Sequence, residues 1–238
     1  MNQPNLRYCI VKMIVCVYVC FFTLGCDKDS VNIYKDPFVD SEGNEYPIGK
    51  LCDGRIWMLK NLQISTFRNG DTIPYVFLED WEGLPNFSHS PACCIYADSL
   101  ELKNEYGLLY NGYTVLDARG LAPLGWHIPT LEEWQRLIDC NGGNEIAGDR
   151  LKEAGTAHWK SDTGNNMSGF NALPGSRRLP VPVDESLGEV AVFWTAAPNE
   201  ECFDFLTPYY GTHYAGPDAY SNCGNNDFGF SVRCIKDE

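Results

Sequence analysis

The chain has 238 residues, a formal net charge of -14 and 44% hydrophobic residues. A surface this acidic repels phosphate backbones and anionic lipid headgroups, which argues against nucleic acid as a partner and against membrane contact through the protein face. A single domain of this size removes roughly 70% of its unfolded surface from water, so its core does not depend on disulfides.

The first predicted element is a secretion leader. Residues 13–26 form an uncharged apolar run behind a basic N-terminal segment, and the run is too short to span a bilayer comfortably. It ends in a Leu-Gly-Cys triplet that resembles the bacterial lipoprotein box, in which the cysteine is acylated. We therefore predict a signal peptide over residues 1–25 and lipidation of Cys26. The alternatives are an ordinary signal cut nearby or an uncleaved anchor helix beginning at Ile10, and both place the body outside the cytoplasm.

Seven cysteines follow Cys26, and an odd number outside the cytoplasm leaves at least one thiol unpaired. Cys202 and Cys223 are the favoured pair, because they flank a loop rich in Gly, Tyr and Asn whose closure would stabilise by about 3 kcal/mol. Cys93 and Cys94 are adjacent and are not expected to bridge each other.

Strand signals open the predicted domain, after a polar tether over residues 26–37. Two hairpins are predicted, with turns at residues 41–44 and at Asp53-Gly54, and the Asp-Gly pair favours a type I′ turn. Residues 66–91 lack periodicity and are predicted to form a long loop region.

Helix signals follow in the middle of the chain. Thr130 and Glu133 form a capping box, and the helix that they begin ends at residues 141–143. Shorter helices are predicted within residues 100–109 and at about residues 145–154. The apolar side chains expected on the buried face of the capped helix are Leu131, Trp134, Leu137 and Ile138.

The last predicted element is one alternating strand over residues 228–235. Strands at both ends with helices between them predict a single α+β domain over residues 38–238, whose terminal strands are neighbours.

A series of short motifs runs in order from about residue 38 to residue 236. The motifs include Asp40-Ser41-Glu42-Gly43-Asn44, Trp57-Met58, Asn61-Leu62, Tyr106-Gly107, Gly125-Trp126-His127-Ile128-Pro129-Thr130, Glu133-Trp134, His158-Trp159, Gly169-Phe170, Phe193-Trp194-Thr195 and Gly229-Phe230-Ser231-Val232-Arg233-Cys234. The series resembles the Fibrobacter succinogenes major paralogous domain, a family frequent in secreted and surface lipoproteins of Bacteroidetes. The resemblance implies an α+β fold with long irregular loops, related to C-type-lectin-like and formylglycine-generating-enzyme-like domains.

The chain departs from the family pattern at Ala122. The resemblance implies a cysteine there, paired with the equivalent of Cys234. With alanine at this position Cys234 is either free or paired elsewhere, and Cys52 and Cys94 are the open alternatives.

Catalytic signals are sparse. His127 and His158 lie among aromatic residues with no local carboxylate or cysteine partner, which favours structural roles. The related formylglycine-generating enzymes use a cysteine pair, so Cys93 and Cys94 raise the alternative of a cysteine enzyme. Burial of one or both thiols is the favoured interpretation. No zinc spacing is present.

The segment from Asp218 to Asp227 is rich in oxygen-bearing side chains that could hold calcium. The favoured interpretation is a turn-rich loop whose Asn and Asp side chains bond their own backbone. No cofactor is therefore expected, with Asp218 and Asp227 kept as calcium candidates. The calcium tripeptides of lectins are absent.

Aromatic loop residues give the strongest binding signal. Flat rings on loops stack on sugar faces or fill protein interfaces. Three tripeptides also resemble the Asp-Ser/Thr-aliphatic pattern of O-glycosylation in Bacteroidetes, at Ser30, Thr72 and Ser99. The candidate binding residues are Tyr209, Tyr210, Tyr214 and Tyr220.

These signals predict a cell-envelope protein, lipid-anchored to the outer membrane and facing the periplasm or the outside. Its expected role is non-catalytic binding of glycan or surface protein, including adhesion. The alternatives are an extracytoplasmic enzyme that uses a cysteine or metal, and a structural envelope or fimbria-associated component.

Overall fold

The computed structural model describes residues 31–81, 90–160, 164–178, 187–196, 205–206 and 226–238. Within these ranges the helices are short and lie between N-terminal and C-terminal strands, which confirms the predicted α+β class. The helices are α1 (Leu78–Trp81), α2 (Leu100–Tyr106), α3 (Gly112–Leu116), α4 (Leu131–Cys140) and α5 (Asn144–Leu151).

The strands are two or three residues long and are joined by irregular segments. They are β1 (Asn32–Ile33), β2 (Phe38–Val39), β3 (Glu45–Tyr46), β4 (Ile48–Lys50), β5 (Ile56–Met58), β6 (Cys93–Cys94), β7 (Leu109–Asn111), β8 (Trp126–His127), β9 (Phe193–Trp194), β10 (Phe205–Leu206), β11 (Gly229–Ser231) and β12 (Ile235–Lys236).

Two five-stranded sheets organise the described residues, with orders β1-β4-β5-β12-β8 and β10-β9-β11-β7-β6. The pairings are antiparallel except between β11 and β9, where Ser231 lies opposite Phe193 in a parallel register. In the first sheet Ile235 of β12 pairs with Trp57 of β5. The predicted contact between strands from the two ends of the domain is therefore confirmed.

The C-terminal segment joins the two sheets. The prediction of one strand over residues 228–235 was wrong, because β11 lies in the second sheet and β12 in the first. Residues 229–235 are all buried, so their side chains do not alternate between core and solvent. An apolar alternation here reflects a crossing through the core and not a half-exposed strand.

Both predicted hairpins form, but the type I′ turn at Asp53-Gly54 was wrong. Gly54 has a φ of 81°, whereas Asp53 is not among the residues with positive φ. The turn closes one residue earlier, since the Gly54 N–H donates to the Leu51 carbonyl at 2.9 Å. The Asp53 carboxylate accepts from the Arg55 N–H at 3.1 Å and from Trp57 Nε1 at 2.8 Å.

Helices α2 and α4 confirm the sequence predictions. Thr130 caps α4, and the Thr130 and Glu133 side chains each accept from the other residue's backbone N–H. The second predicted short helix ends at Leu151, three residues early. Lys152 adopts extended dihedrals there and forms a bridge with Ala172, which removes it from the helix.

An aromatic cluster packs α4 against residues of both sheets. The ring centroids of Trp57 and Trp134 are 4.8 Å apart, and those of Trp134 and Phe193 are 5.5 Å apart. Trp134, Leu137 and Ile138 are fully buried, as the helical periodicity predicts, whereas Leu131 is only partly buried.

Candidate binding site

Arg68 lies in a tight turn, in which the Gly70 N–H donates to the Phe67 carbonyl at 2.9 Å. The Arg68 N–H donates to the Gly120 carbonyl at 3.0 Å, and this bond joins the turn to the segment after α3. Gly120 has a φ of +78°, and a Cβ there would lie 3.0 Å from Arg68 Cδ. Glycine at position 120 therefore leaves room for the arginine stem.

Main-chain carbonyls between α3 and β8 hold the guanidinium of Arg68. Nε donates to the Ala122 carbonyl. Nη2 donates to the Trp126 carbonyl at 2.8 Å and approaches the Pro123 carbonyl at 3.4 Å. No described residue accepts a hydrogen bond from Nη1.

Two cavities of about 270 Å³ each share Arg68 and Leu121 in their walls. The first is otherwise lined by Val115, Leu116, Gly120, Ala122, His127, Ile128 and Ala196. The second is otherwise lined by Phe38, Val39, Asp40, Ser41, Ile64, Pro123 and Leu124. The walls are mainly apolar, which is typical of small ligand sites.

Arg68 forms no ion pair within the described ranges, although the chain is acidic. Other arginines are paired: Arg55 lies 3.3 Å from Glu133, Arg119 lies 2.8 Å from Asp117, and Arg136 lies 2.6 Å from Glu132. Arg68, which lines both cavities, is thus a cation without an ion-pair partner among the described residues, although Asp40 lines the second cavity.

His127, at the first cavity, has two carboxylate partners, although none was predicted from the sequence. Its Nδ1 is 2.7 Å from Asp237 Oδ1, and its Nε2 is 3.1 Å from Glu133 Oε1. Burial pushes the pKa of Glu133 up, but hydrogen bonds from the Thr130 N–H and from His127 outweigh this effect and lower it. His127 therefore ties the C-terminal segment to the start of α4.

His158 also lies between two carboxylates, contrary to the sequence analysis. Its Nδ1 is 2.7 Å from Glu153 Oε2, and its Nε2 is 2.5 Å from Glu105 Oε1. Burial alone would lower the pKa of His158, but the two glutamate contacts outweigh burial and raise it. His158 thus links α2 to the segment after α5.

The raised pKa of His158 predicts a pH-dependent stability. The contribution of His158 to the free energy of unfolding is complete below the unfolded-state pKa of 6.5. This contribution is lost as pH rises through the higher folded-state pKa of His158. Between about pH 6 and pH 8, wild-type protein is expected to lose roughly 0.5 to 1 kcal/mol of unfolding free energy relative to His158→Gln. Urea unfolding of both proteins across this range measures the difference. Parallel curves for the two proteins would contradict the prediction.

The cysteines form one disulfide among the described residues, between Cys52 and Cys140. Cys93, Cys94 and Cys234 are free and buried. Of the alternatives left open for Cys234, the free thiol is confirmed. Pairing with Cys52 was wrong because Cys52 binds Cys140, and pairing with Cys94 was wrong because Cys94 is also free. The expected burial of Cys93 and Cys94, unbridged, is confirmed.

Burial makes the free thiols poor nucleophiles. It raises the pKa of Cys93 to about 12, and it raises the pKa values of Cys94 and Cys234 further above the usual range. Since the thiolate is the reactive form, these three thiols are unreactive at neutral pH.

Several predicted site residues lie outside the described ranges. They include the lipidation site, the favoured disulfide, the loop tyrosines, one calcium candidate and one glycosylation candidate, and all of these stay predictions. They are Cys26, Cys202, Cys223, Tyr209, Tyr210, Tyr214, Tyr220, Asp218 and Ser30.

Three other candidates are described, and each lies in a different segment of the chain. Thr72 is exposed and bridges Thr66. Ser99 precedes α2 and makes no side-chain capping bond. The Asp227 carbonyl accepts from Trp81 Nε1 at 2.8 Å. Across the described ranges, no group of three His, Cys, Asp or Glu side chains is placed to hold a metal ion.

Arg68 was not predicted as a site residue from the sequence. It lies in a turn within the segment predicted to be a long loop, and the carbonyls that orient it are 54 to 58 residues away along the chain. No local pattern marks such a contact.

The described part of the chain also contains no helix long and apolar enough to cross a membrane.

These observations define an α+β domain of short strands and irregular connections, with a small apolar site around one cation. The model of the Fibrobacter succinogenes major domain matches residues 52–236. The chain belongs to this family, as its motif order indicates. No significant match was found among curated proteins or among solved structures.

Proposed function

We propose that this protein is a lipid-anchored component of the bacterial cell envelope, whose domain is a non-catalytic binding module for glycan or surface protein. The observation that carries the proposal is the disulfide between Cys52 and Cys140. Disulfides persist in oxidising compartments outside the cytoplasm. The leader and Cys26 provide the route to such a compartment and the anchor in the outer membrane.

The fold supports a binding role. Short strands joined by irregular segments are consistent with a C-type-lectin-like or formylglycine-generating-enzyme-like arrangement, which the family resemblance implies. Binding residues are commonly carried on loops that a rigid scaffold positions. The cavities beside Arg68 and the tyrosines of the segment 209–220 are the two candidate contact regions.

The state of the thiols favours binding over cysteine catalysis. A cysteine nucleophile needs a low pKa and access to substrate. Cys93, Cys94 and Cys234 are buried, and burial raises the pKa of each. The cysteine form of the enzyme alternative therefore has little support from these three residues.

The anchor is tested by labelling cells with a palmitate analogue and separating membrane from soluble protein. Wild-type protein is expected to carry the label and to lie in the membrane fraction, because several acyl chains hold a protein on a bilayer essentially permanently. Cys26→Ala is expected to lose the label completely. Full-length, unlabelled protein in the cytosol of wild-type cells would contradict the proposal.

The purified, natively processed protein then serves for ligand screening on glycan and protein arrays. A bound glycan or protein, retained after Cys93→Ala or Cys94→Ala, is the expected result for a binding module. A thiol-dependent product would favour the enzyme alternative. Blank arrays, together with recovery of an assembly partner from the envelope, would favour a structural component.

A further inference from the structure

We propose that the two cavities beside Arg68 bind the carboxyl terminus of a peptide whose last residues are apolar. This inference rests on the proposed binding function and names the ligand class of the site. The terminal carboxylate would bind Arg68, and the apolar side chains next to it would occupy the cavities.

The guanidinium of Arg68 is oriented before any ligand arrives. Carbonyls of Ala122 and Trp126 fix Nε and Nη2, while no described residue accepts from Nη1. Nη1 therefore keeps two N–H donors for a ligand. A hydrogen bond from such a donor to a carboxylate is charge-assisted and is roughly twice as strong as a neutral one.

Charge complementarity selects an anionic ligand. Within the described ranges Arg68 has no carboxylate within ion-pair distance, and the carbonyls around it carry only partial charge. Arg55 and Arg119, by contrast, each bind two acidic groups of this chain. Arg68 is exposed, so a ligand carboxylate can reach it and pair with it without displacing a carboxylate of this chain.

The net charge limits how much negative charge the ligand carries. At -14, the chain repels a polyanion as a whole. This favours a ligand with one carboxylate at the point of contact and a neutral body, over an acidic polysaccharide.

The walls indicate that this body is apolar. Val115, Leu116 and Ile128 line the first cavity, and Phe38 and Ile64 line the second. Each volume of about 270 Å³ is slightly below the range of roughly 300 to 1,000 Å³ for drug-sized ligands. Each cavity therefore has room for at least one apolar side chain of a peptide.

The rim of the second cavity extends this apolar surface. Val39 is 50% exposed and Leu124 is 80% exposed. Covering them with an apolar side chain would remove both from water, at about 25 cal/mol for each Å² buried. An apolar peptide end fits this rim.

The polar groups of the second cavity do not suit a neutral sugar. The Asp40 carboxylate already accepts from the Glu42 and Asn44 N–H groups, from Asn44 Nδ2 and from the Tyr46 hydroxyl. It has little capacity left for the hydroxyl groups of a sugar, which need several partners to replace water. A peptide end needs one strong contact at its carboxylate.

Titration calorimetry with two synthetic peptides tests the proposal on the natively processed protein. The probe is acetyl-Ser-Gly-Ile-Val with a free carboxyl terminus, and the comparison is the same peptide as its terminal amide. The acid is expected to bind at least tenfold more tightly than the amide. Equal affinity of the two peptides would overturn the proposal.

Substitutions test whether the peptide carboxylate binds at Arg68. Arg68→Gln is expected to weaken binding of the acid at least tenfold and to leave the amide unchanged. Arg136→Gln, which removes an exposed arginine on α4, is the matched control and is expected to bind as wild type does.

A second variant covers the case in which Arg68→Gln does not fold. Leu124 is 80% exposed, so Leu124→Asp is compatible with the fold. Its carboxylate at the rim would repel that of the peptide and is expected to weaken binding of the acid several-fold, less so at high salt. Unchanged binding in Leu124→Asp and Arg68→Gln would overturn the assignment.

Failure of this inference is distinguishable from failure of the proposed function. An array ligand that binds equally well to wild type and Arg68→Gln, or a uronic-acid oligosaccharide that displaces the peptide, would overturn the peptide site and leave the envelope binding module standing. If Cys26 is found not to be acylated, the proposed membrane anchor is overturned and the peptide site at Arg68 is unaffected.

Discussion

Replacing Arg233 by methionine is expected to lower the free energy of unfolding by about 3 kcal/mol. Arg233 is buried to 1% exposure, and burial lowers its pKa to about 9, so its guanidinium stays charged at neutral pH. Nε and Nη2 donate to Asn61 Oδ1 at 3.1 and 2.7 Å, and Nη1 donates to the Phe170 carbonyl. Its Cζ also lies 4.2 Å from the centre of the Phe170 ring.

The expected loss of stability follows from the buried hydrogen-bond acceptors that Arg233→Met leaves without donors. Each buried acceptor without a donor costs about 1 to 3 kcal/mol, and two acceptors would lose their donors. The lost cation–π contact adds about 2 kcal/mol when desolvated. Removing the buried charge offsets part of this sum, because methionine has no desolvation penalty.

Urea unfolding followed by tryptophan fluorescence measures the change. Arg136→Met is the control, because Arg136 is 56% exposed and its pair with Glu132 is expected to contribute under about 0.5 kcal/mol. Arg233→Lys should fall between wild type and Arg233→Met, since lysine keeps the charge but not the planar fork. If Arg233→Met is as stable as wild type, the guanidinium contacts contribute nothing beyond the packing that methionine restores.

The sequence predicted best the features whose causes are local. The capping box at Thr130 and Glu133 needs only four consecutive residues, and the buried face of α4 needs only helical periodicity. The first two hairpins were found from their turns, although the type of the second turn was wrong. In that turn the Asp53 carboxylate accepts hydrogen bonds from Arg55 and Trp57. The turn is closed by the hydrogen bond from the Gly54 N–H to the Leu51 carbonyl.

Features that depend on contacts between distant segments could not be predicted. Arg68 binds carbonyls more than 50 residues away, and His127 binds Asp237 across 110 residues. No local pattern encodes which loop lies opposite which. The split of the final strand between two sheets has the same origin, because the alternation of residues 228–235 does not reveal that both faces of the segment are buried.

The carboxylate contacts of the histidines show how this limit affects functional inference. Without the fold, His158 lacked a visible partner, whereas in the fold it lies between Glu105 and Glu153. Both histidines thus join segments of the chain, which agrees with the structural role expected for them. The structural role stays a prediction. Glu133 and Glu153 lie within six residues of the histidines, whereas Asp237 and Glu105 come from distant segments.

Removing the disulfide with the double substitution Cys52→Ser and Cys140→Ser is expected to destabilise the protein by roughly 4 to 5 kcal/mol. The bond joins cysteines 88 residues apart, so it removes a large amount of conformational entropy from the unfolded chain. It also ties the turn between β4 and β5 to the end of α4. Measured losses in other proteins are commonly 2 to 4 kcal/mol, which makes the chain-entropy value an upper estimate.

Urea unfolding of wild type with and without dithiothreitol gives the matched measurement. Reduction is expected to lower the urea midpoint of the wild type. The midpoint of the double variant is expected to stay unchanged, unless a second disulfide such as Cys202–Cys223 exists. Coincident curves for oxidised and reduced wild type would contradict the prediction. Because only an oxidising compartment maintains this bond, alkylation and intact mass of protein taken from the native envelope also test the export on which the proposed function depends.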